Sequence, residues 1–265
     1  MKLLSLILAS SVAAASASTI IDQWEFTHPD GTGLSGATSN NGVPIGGDSP
    51  GLASVQGNQL QFSSTNTNNG DPSNDNLSSF RTTTLSSSPS SGKVEVSWTI
   101  TTADFTNSLA VSGSARVGFF LRDTTPGVAG NNDLGMRLEF NGSDFNLQYT
   151  DATGTNQNAA GFSGATISDL DIRYIIDFGS LGTVGSFQGF YTLGAGSEQL
   201  AITGTAHSGF TLEQFRTVQQ VTNGGTNWIT GDTLNVDNLT VAVPEPSSTA
   251  LLGLTGLGLL IRRRK

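Results

Sequence analysis

Hydrolysis of a glycosidic bond needs two carboxylates across the scissile bond, and the sequence offers them singly, as Glu95 in "VEVSW" and Glu139 in "RLEFNGSD". They make a pair only if two neighbouring strands bring them together. Acyl transfer through serine needs a general base. The two histidines, His28 in "THPDG" and His207 in "TAHSG", lie far apart, and no Gly-x-Ser-x-Gly elbow accompanies either. With no cysteine anywhere, thiolate nucleophiles, thiolate zinc sites and iron–sulfur clusters are excluded. The residue inventory therefore predicts a protein that is not an enzyme, with a glycosidase built on Glu95 and Glu139 as the remote alternative.

Binding chemistry is better supplied. Asp71, Ser73 and Asp75 in "DPSND" place oxygens at alternate positions, but the glycine and distal glutamate of an EF-hand loop are missing. Asp and Asn that cap turns are the plainer reading of such a stretch. Sugar recognition uses exposed aromatic rings. Trp24, Trp98 and Trp228 are the candidates, and Trp228, in "GGTNWITGD", is the one that a loop presents. Trp98 falls on the apolar side of its strand, and so do Tyr149 and Tyr191, which predicts that all three pack inward.

The elements that must position these residues alternate with a period of two. In "KVEVSWTIT", Val94, Val96, Trp98 and Ile100 share one face. "LGMRLEF" puts Met136, Leu138 and Phe140 inward with Arg137 and Glu139 outward, and "FNLQY" does the same with Phe145, Leu147 and Tyr149. "NGSD" between them is a hairpin turn. "ARVGFFLR", "IRYIIDF", "SFQGFYTL", "NQLQF", "SSFRTTT" and "DQWEF" are further strands. In "DTLNVDNLTVA" the apolar phase slips at Asp237-Asn238, which calls for a β-bulge. "TLEQFR", Thr211–Arg216, reads as one short helix capped by Thr211. Residues 63–79 and 151–165 read as long rim loops. Many strands and no crossover helices predict an all-β, antiparallel sandwich.

Both ends of the chain are addresses rather than fold. Lys2, the apolar run from Leu3 to Val12 and the small residues Ala15 and Ala17 make a secretory signal peptide over residues 1–17, with Ser18 the first mature residue. The sandwich occupies 18–242. Seven bases against twenty acids leave it at −13, which repels nucleic acid and suits a soluble exported domain. At the other end, Thr249 to Ile261 is an apolar run of about 13 residues, roughly 20 Å of helix against about 30 Å of hydrocarbon. Arg262, Arg263, Arg264 and Lys265 hold its end on the cytoplasmic side. Pro244 and Pro246 keep the segment outside extended.

Pro244-Glu245-Pro246, a short apolar helix and a basic end resemble the PEP-CTERM sorting signal of Gram-negative bacteria. The resemblance covers 243–265 and implies export through the secretion translocon. It implies an inner-membrane-anchored precursor, processing by an exosortase, and a final place at the cell surface or in an exopolysaccharide matrix. The body resembles concanavalin- or laminin-G-like jelly rolls through "VEVSWTI", "VGFFLRD", "MRLEFNGSDFNLQY" and "GDTLNVDNLTVA". It lacks the Glu-x-Asp-x-x-Glu run of the glucanases among them. In many jelly rolls calcium bridges the first and last strands; Asp22, Glu25, Asp232 and Asp237 are placed for that ion if Asp22 and Asp237 lie on adjacent strands. No other cofactor is expected. The reading is an exported, surface- or matrix-associated structural protein, with a carbohydrate-binding module as the alternative. Mass spectrometry of the mature exported protein should find no Lys265; an intact C-terminus would refute the processing.

Overall fold

The computed structural model describes residues 18–46, 53–63, 78–87, 92–109, 114–122, 133–153, 156–177, 185–206, 214–222 and 231–244. Among them are β1 (Ser18–Trp24), β2 (Ala53–Gln56), β3 (Gln59–Ser63), β4 (Ser78–Thr84), β5 (Lys93–Asp104), β6 (Ser114–Arg122) and β7 (Asp133–Phe140). The remainder are β8 (Asp144–Thr150), β9 (Asn156–Ser163), β10 (Thr166–Asp177), β11 (Gly185–Leu193), β12 (Gln199–Ala206), β13 (Gln214–Thr222) and β14 (Thr233–Pro244). Among the described residues a 3-10 turn spans Thr106–Ser108.

Two antiparallel sheets form the sandwich. The larger has eight strands in the order β12-β11-β10-β5-β14-β3-β2, with β1 also on β14; the smaller has the order β4-β13-β6-β7-β8-β9. The two-residue period explains why each strand joins. Val94, Val96, Trp98 and Ile100 of β5 are buried, while Lys93, Glu95 and Ser97 between them are not. Aromatic rings fill the space between the sheets. Trp98 of β5 meets Phe119 of β6 edge-on at 5.3 Å between centroids, and Phe119 stacks on Phe215 of β13 at 5.7 Å. Such pairs add to the burial of their area. Tyr174 of β10 crosses the core to donate its hydroxyl hydrogen to the Phe119 carbonyl, 3.3 Å away.

Turn chemistry follows the sequence closely in two places. In the β7–β8 hairpin the Asn141 side chain accepts from the amides of Ser143 and Asp144, and Gly142 takes φ +92°, as a residue without Cβ can. In β14 the register shifts between Asp237 and Thr240, with Asn238 at φ +53°. That bulge returns Leu239 and Val241 to the core face beside Leu234 and Val236.

Three expectations change. Gln214–Arg216, read as the end of a short helix, opens strand β13; Thr211–Glu213 lie outside the described residues. Pairing on both sides, with β4 and β6, outweighs local helix propensity. Residues 156–163, read as loop, form edge strand β9, held by its ladder to β8 and by Ala160 and Phe162, which pack against the core, Phe162 edge-on to Tyr191. Arg137 and Glu139, read as solvated, are buried at 5% and 7% exposure on the outward side of their sheet. Among the described residues no helix is long and apolar enough to cross a membrane; the expected C-terminal helix lies outside them. Replacing the Phe119 ring by Ala should cost about 3–5 kcal/mol in denaturant melts, against under about 0.5 kcal/mol for the exposed Thr82→Ala.

Candidate functional site

The outward face of the six-stranded sheet is built from the residues that alternate with its core. Across it, register aligns Arg116 with Glu139, Gly118 with Arg137 and Phe120 with Gly135. The next strand adds Gln148 beside Arg137, and β9 adds Asn158 beside Gln148. Two glycines lower the floor. A Cβ on Gly118 would sit 2.3 Å from the Arg137 Cβ, and one on Gly135 would sit 2.4 Å from the Phe119 carbonyl oxygen. Only a residue without a side chain fits either place.

The polar groups on this floor interlock. Arg116 donates from Nε to Glu139 Oε1 at 2.8 Å, and its Nη2 reaches the same oxygen at 2.7 Å. The other Glu139 oxygen accepts from the Gln148 amide. Gln148 Oε1 accepts from Arg137 Nε at 2.9 Å, and its Nε2 also donates to Asn158 Oδ1 at 3.0 Å. Only this orientation of the Gln148 amide works, because arginine can only donate and an ionised carboxylate only accept. Arg137 Nη2 is buried and takes no acceptor. Burial, and then the Arg116 charge, lower the Arg137 pKa to about 10, with Glu139 opposing; the guanidinium remains charged at neutral pH. Towards the other end of the face, Asp133 accepts from Arg216 and lies 3.9 Å from Arg122 Nε.

The opposite outward face, on the eight-stranded sheet, centres on Arg173. Its guanidinium holds Glu198 with two hydrogen bonds of 2.8 and 2.7 Å, holds Glu95 at 2.9 Å, and lies over the Phe190 ring at 4.3 Å from the centroid. Beside it is a shallow hollow of about 270 Å³ bounded by Ser97, Thr99, Asp171 and Asn238. Glu95 and Glu139 therefore stand on opposite sides of the sandwich, each held by an arginine, and do not converge on one bond.

The other sequence candidates are scattered. Asp22 is fully buried and accepts from Ser39 Oγ at 2.8 Å and the Ser86 amide at 2.9 Å, tying β1 to two loops. Asp232, equally buried, accepts from the Asn107 amide and from Ser108 Oγ. Glu25 accepts from Gln23, and Asp237 from the amide of Asn238. Asp22 and Asp232 act as turn and strand staples, and among the described residues no three acids or histidines gather round one point. Trp24 and Trp98 are core residues, and Tyr149 is buried against Phe187. Pro244 ends β14. Trp228, His207, Asp71, Ser73, Asp75, Ala15, Ala17, Glu245, Pro246, Arg262, Arg263, Arg264 and Lys265 lie outside the described residues. Sequence reading missed Gln148, Asn158, Arg116 and Arg137 as a group; their only signal was that Arg116, Arg137 and Gln148 fall on the polar phase of strands that alternate.

The fold and this face define an antiparallel β-sandwich with a polar, partly buried outer surface. Residues 242–265 match the PEP-CTERM protein-sorting motif. The motif marks an exported bacterial protein, made as a membrane-anchored precursor and processed by an exosortase. Among solved structures the chain is similar to the alginate lyase Aly36B (15% identity, TM-score 0.49, covering 86% of this chain and 97% of that one). It is also similar to a β-1,3-glucanase from Mycobacterium marinum (13%, TM-score 0.47, 84% and 98%). A third is the botulinum neurotoxin type G receptor-binding domain (11%, TM-score 0.43, 88% and 49%), of which this chain spans about half the length. No curated protein matches the chain.

Burial pushes the Asp133 carboxyl up from 3.8 to about 6, against the pull of Arg122. A raised acid holds its proton more tightly folded than unfolded. Its stabilising contribution is present below 3.8 and is lost as the pH rises through about 6. From about pH 4 to about pH 7, denaturation stability of the native protein should fall relative to Asp133→Asn by on the order of 1 kcal/mol. Parallel profiles would mean that Asp133 stays ionised throughout.

Proposed function

We propose that the exported body is a non-enzymatic protein of the cell surface or its surrounding matrix, and that it holds polysaccharide on the outward face of its six-stranded sheet. The observation that carries this reading is the interlocked row of Arg116, Glu139, Arg137, Gln148 and Asn158, laid over glycines and spanning β6 to β9. Four adjacent strands cover roughly 15 Å, a span suited to successive sugars of one chain. Arg116 and Asn158, the accessible ends of the row, present donors and acceptors, and the buried Arg137, Glu139 and Gln148 hold them in place so that little side-chain freedom is lost on binding. Glu139 is engaged by Arg116 and Gln148 at once, which favours a positioning role over proton transfer.

Secretion, an exosortase and an exopolysaccharide-rich surface are the setting that the sorting motif suggests for such a module. A Gram-negative host and a final cell-surface position belong to this proposal. The competing site is Trp228, a ring on which a sugar would stack. Affinity electrophoresis of the full chain in gels cast with polysaccharides tests both. Retardation that weakens at least about fivefold in Gln148→Ala, by loss of hydrogen bonds to charged groups, supports the sheet face. Retardation lost only in Trp228→Ala moves the site to Trp228, and no retardation by any polysaccharide refutes binding.

A further inference from the structure

The charge of the body is distributed very unevenly. Arg116, Arg122, Arg137 and Arg216 all stand on the outward face of the six-stranded sheet, four of the seven bases between Ser18 and Ala242. The described acids on that face are Asp133 and Glu139, with Asp144 at its end. Among the described residues the face carries an excess of one positive charge, while the rest of the body has three bases against twelve acids. A protein that needed only solubility would have no reason to gather its few arginines on one side.

Two of these guanidinia also have donors to spare. Arg137 is 5% exposed, yet its Nη2 meets no acceptor. Arg122 Nε makes no hydrogen bond, and its nearest carboxylate is Asp133 at 3.9 Å. A buried donor left unmade costs free energy, and an oxyanion brought within reach by side-chain movement at this face would recover it. Arg137 pairs with Gly118, four residues before Arg122 on β6, so the two sites stand about 13 Å apart along the strands. A polymer with acidic groups at intervals can reach both.

We propose that the ligand of this face is an acidic polysaccharide of the uronate class, its carboxylates seated on Arg137 and Arg122. The proposal rests on the reading that this face binds polysaccharide, and it names the chemical class. A guanidinium edge matches the two oxygens of a carboxylate. With a local excess of only one charge, the face suits one carboxylate per sugar. A densely sulfated chain would be repelled by the surrounding acids.

The full chain, held in an uncharged polyoxyethylene detergent, is titrated with polygalacturonate, with neutral dextran and with dextran sulfate. Polygalacturonate should bind at least about tenfold more tightly than dextran, as one or two charge-assisted hydrogen bonds require. Its binding should also weaken as salt is raised from about 50 to about 200 mM. Arg137→Met and Arg122→Gln should each weaken it about fivefold or more, whereas Lys93→Gln, on the opposite face, should not. Should Arg137→Met fail to fold by thermal melting, the partly exposed Arg122→Gln decides. Equal affinity for dextran and polygalacturonate overturns the acidic class and leaves polysaccharide binding standing. Preference for dextran sulfate overturns the uronate assignment. Unchanged polygalacturonate affinity in folded Arg122→Gln overturns the seat, and binding of none of the three overturns both readings.

Discussion

Phe119 is the point on which both sheets close. Its ring meets Trp98 and Phe62 of the larger sheet and Phe215 of its own, and its carbonyl receives the Tyr174 hydroxyl from across the core. Burial drives the Tyr174 pKa well above its ordinary value, so that hydroxyl remains a donor. Every strand that reaches this aromatic layer must offer it one face, and that requirement imposes the two-residue period. Where β14 would fall out of step, the bulge at Asn238 restores it.

The outward face is a consequence of the same strands. Phe119 points in, so Gly118 and Phe120 point out, and Gly118 leaves room for Arg137 to lie flat. Burying Arg137 and Glu139 is costly, and replacing a buried ion pair with packed apolar groups is often neutral or stabilising. Here the cost is offset by reciprocal hydrogen bonds through Gln148, which serves Arg137 and Glu139 together. The network is closed at its centre, but Arg137 Nη2 is left over. A face optimised for stability alone would have used that donor.

Much of the sandwich is legible in the chain. The alternation of Val94, Val96, Trp98 and Ile100, the Asn141-Gly142 turn and the phase slip at Asp237-Asn238 each name their structure, because each is set by neighbours in sequence. β9 and β13 are less legible. The polar Asn156–Ser163 is a strand because β8 offers it a free edge, and Gln214–Arg216 extends because β4 and β6 flank it. Locally, β9 offers only the short pair Ala160 and Phe162, and Gln214–Arg216 offers nothing that separates strand from helix. Asp22 and Asp237 lie on the paired strands β1 and β14, while Asp22 and Asp232 each staple a different loop.

The sequence by itself determined the period of the strands, the turns between them, the surplus of acid and the sorting motif at the C-terminus, since all four depend on residues adjacent in the chain. It also determined that Arg137 and Glu139 point away from Leu138. Only the tertiary structure decided what they meet there. Arg137 finds Gln148 eleven residues on, Arg116 finds Glu139 twenty-three residues on, and Glu95 and Glu139 are carried to opposite sides of the core. Alternation fixes the face of a strand on which a side chain stands, whereas strand order and register, set by the packing of the whole sandwich, fix its neighbours.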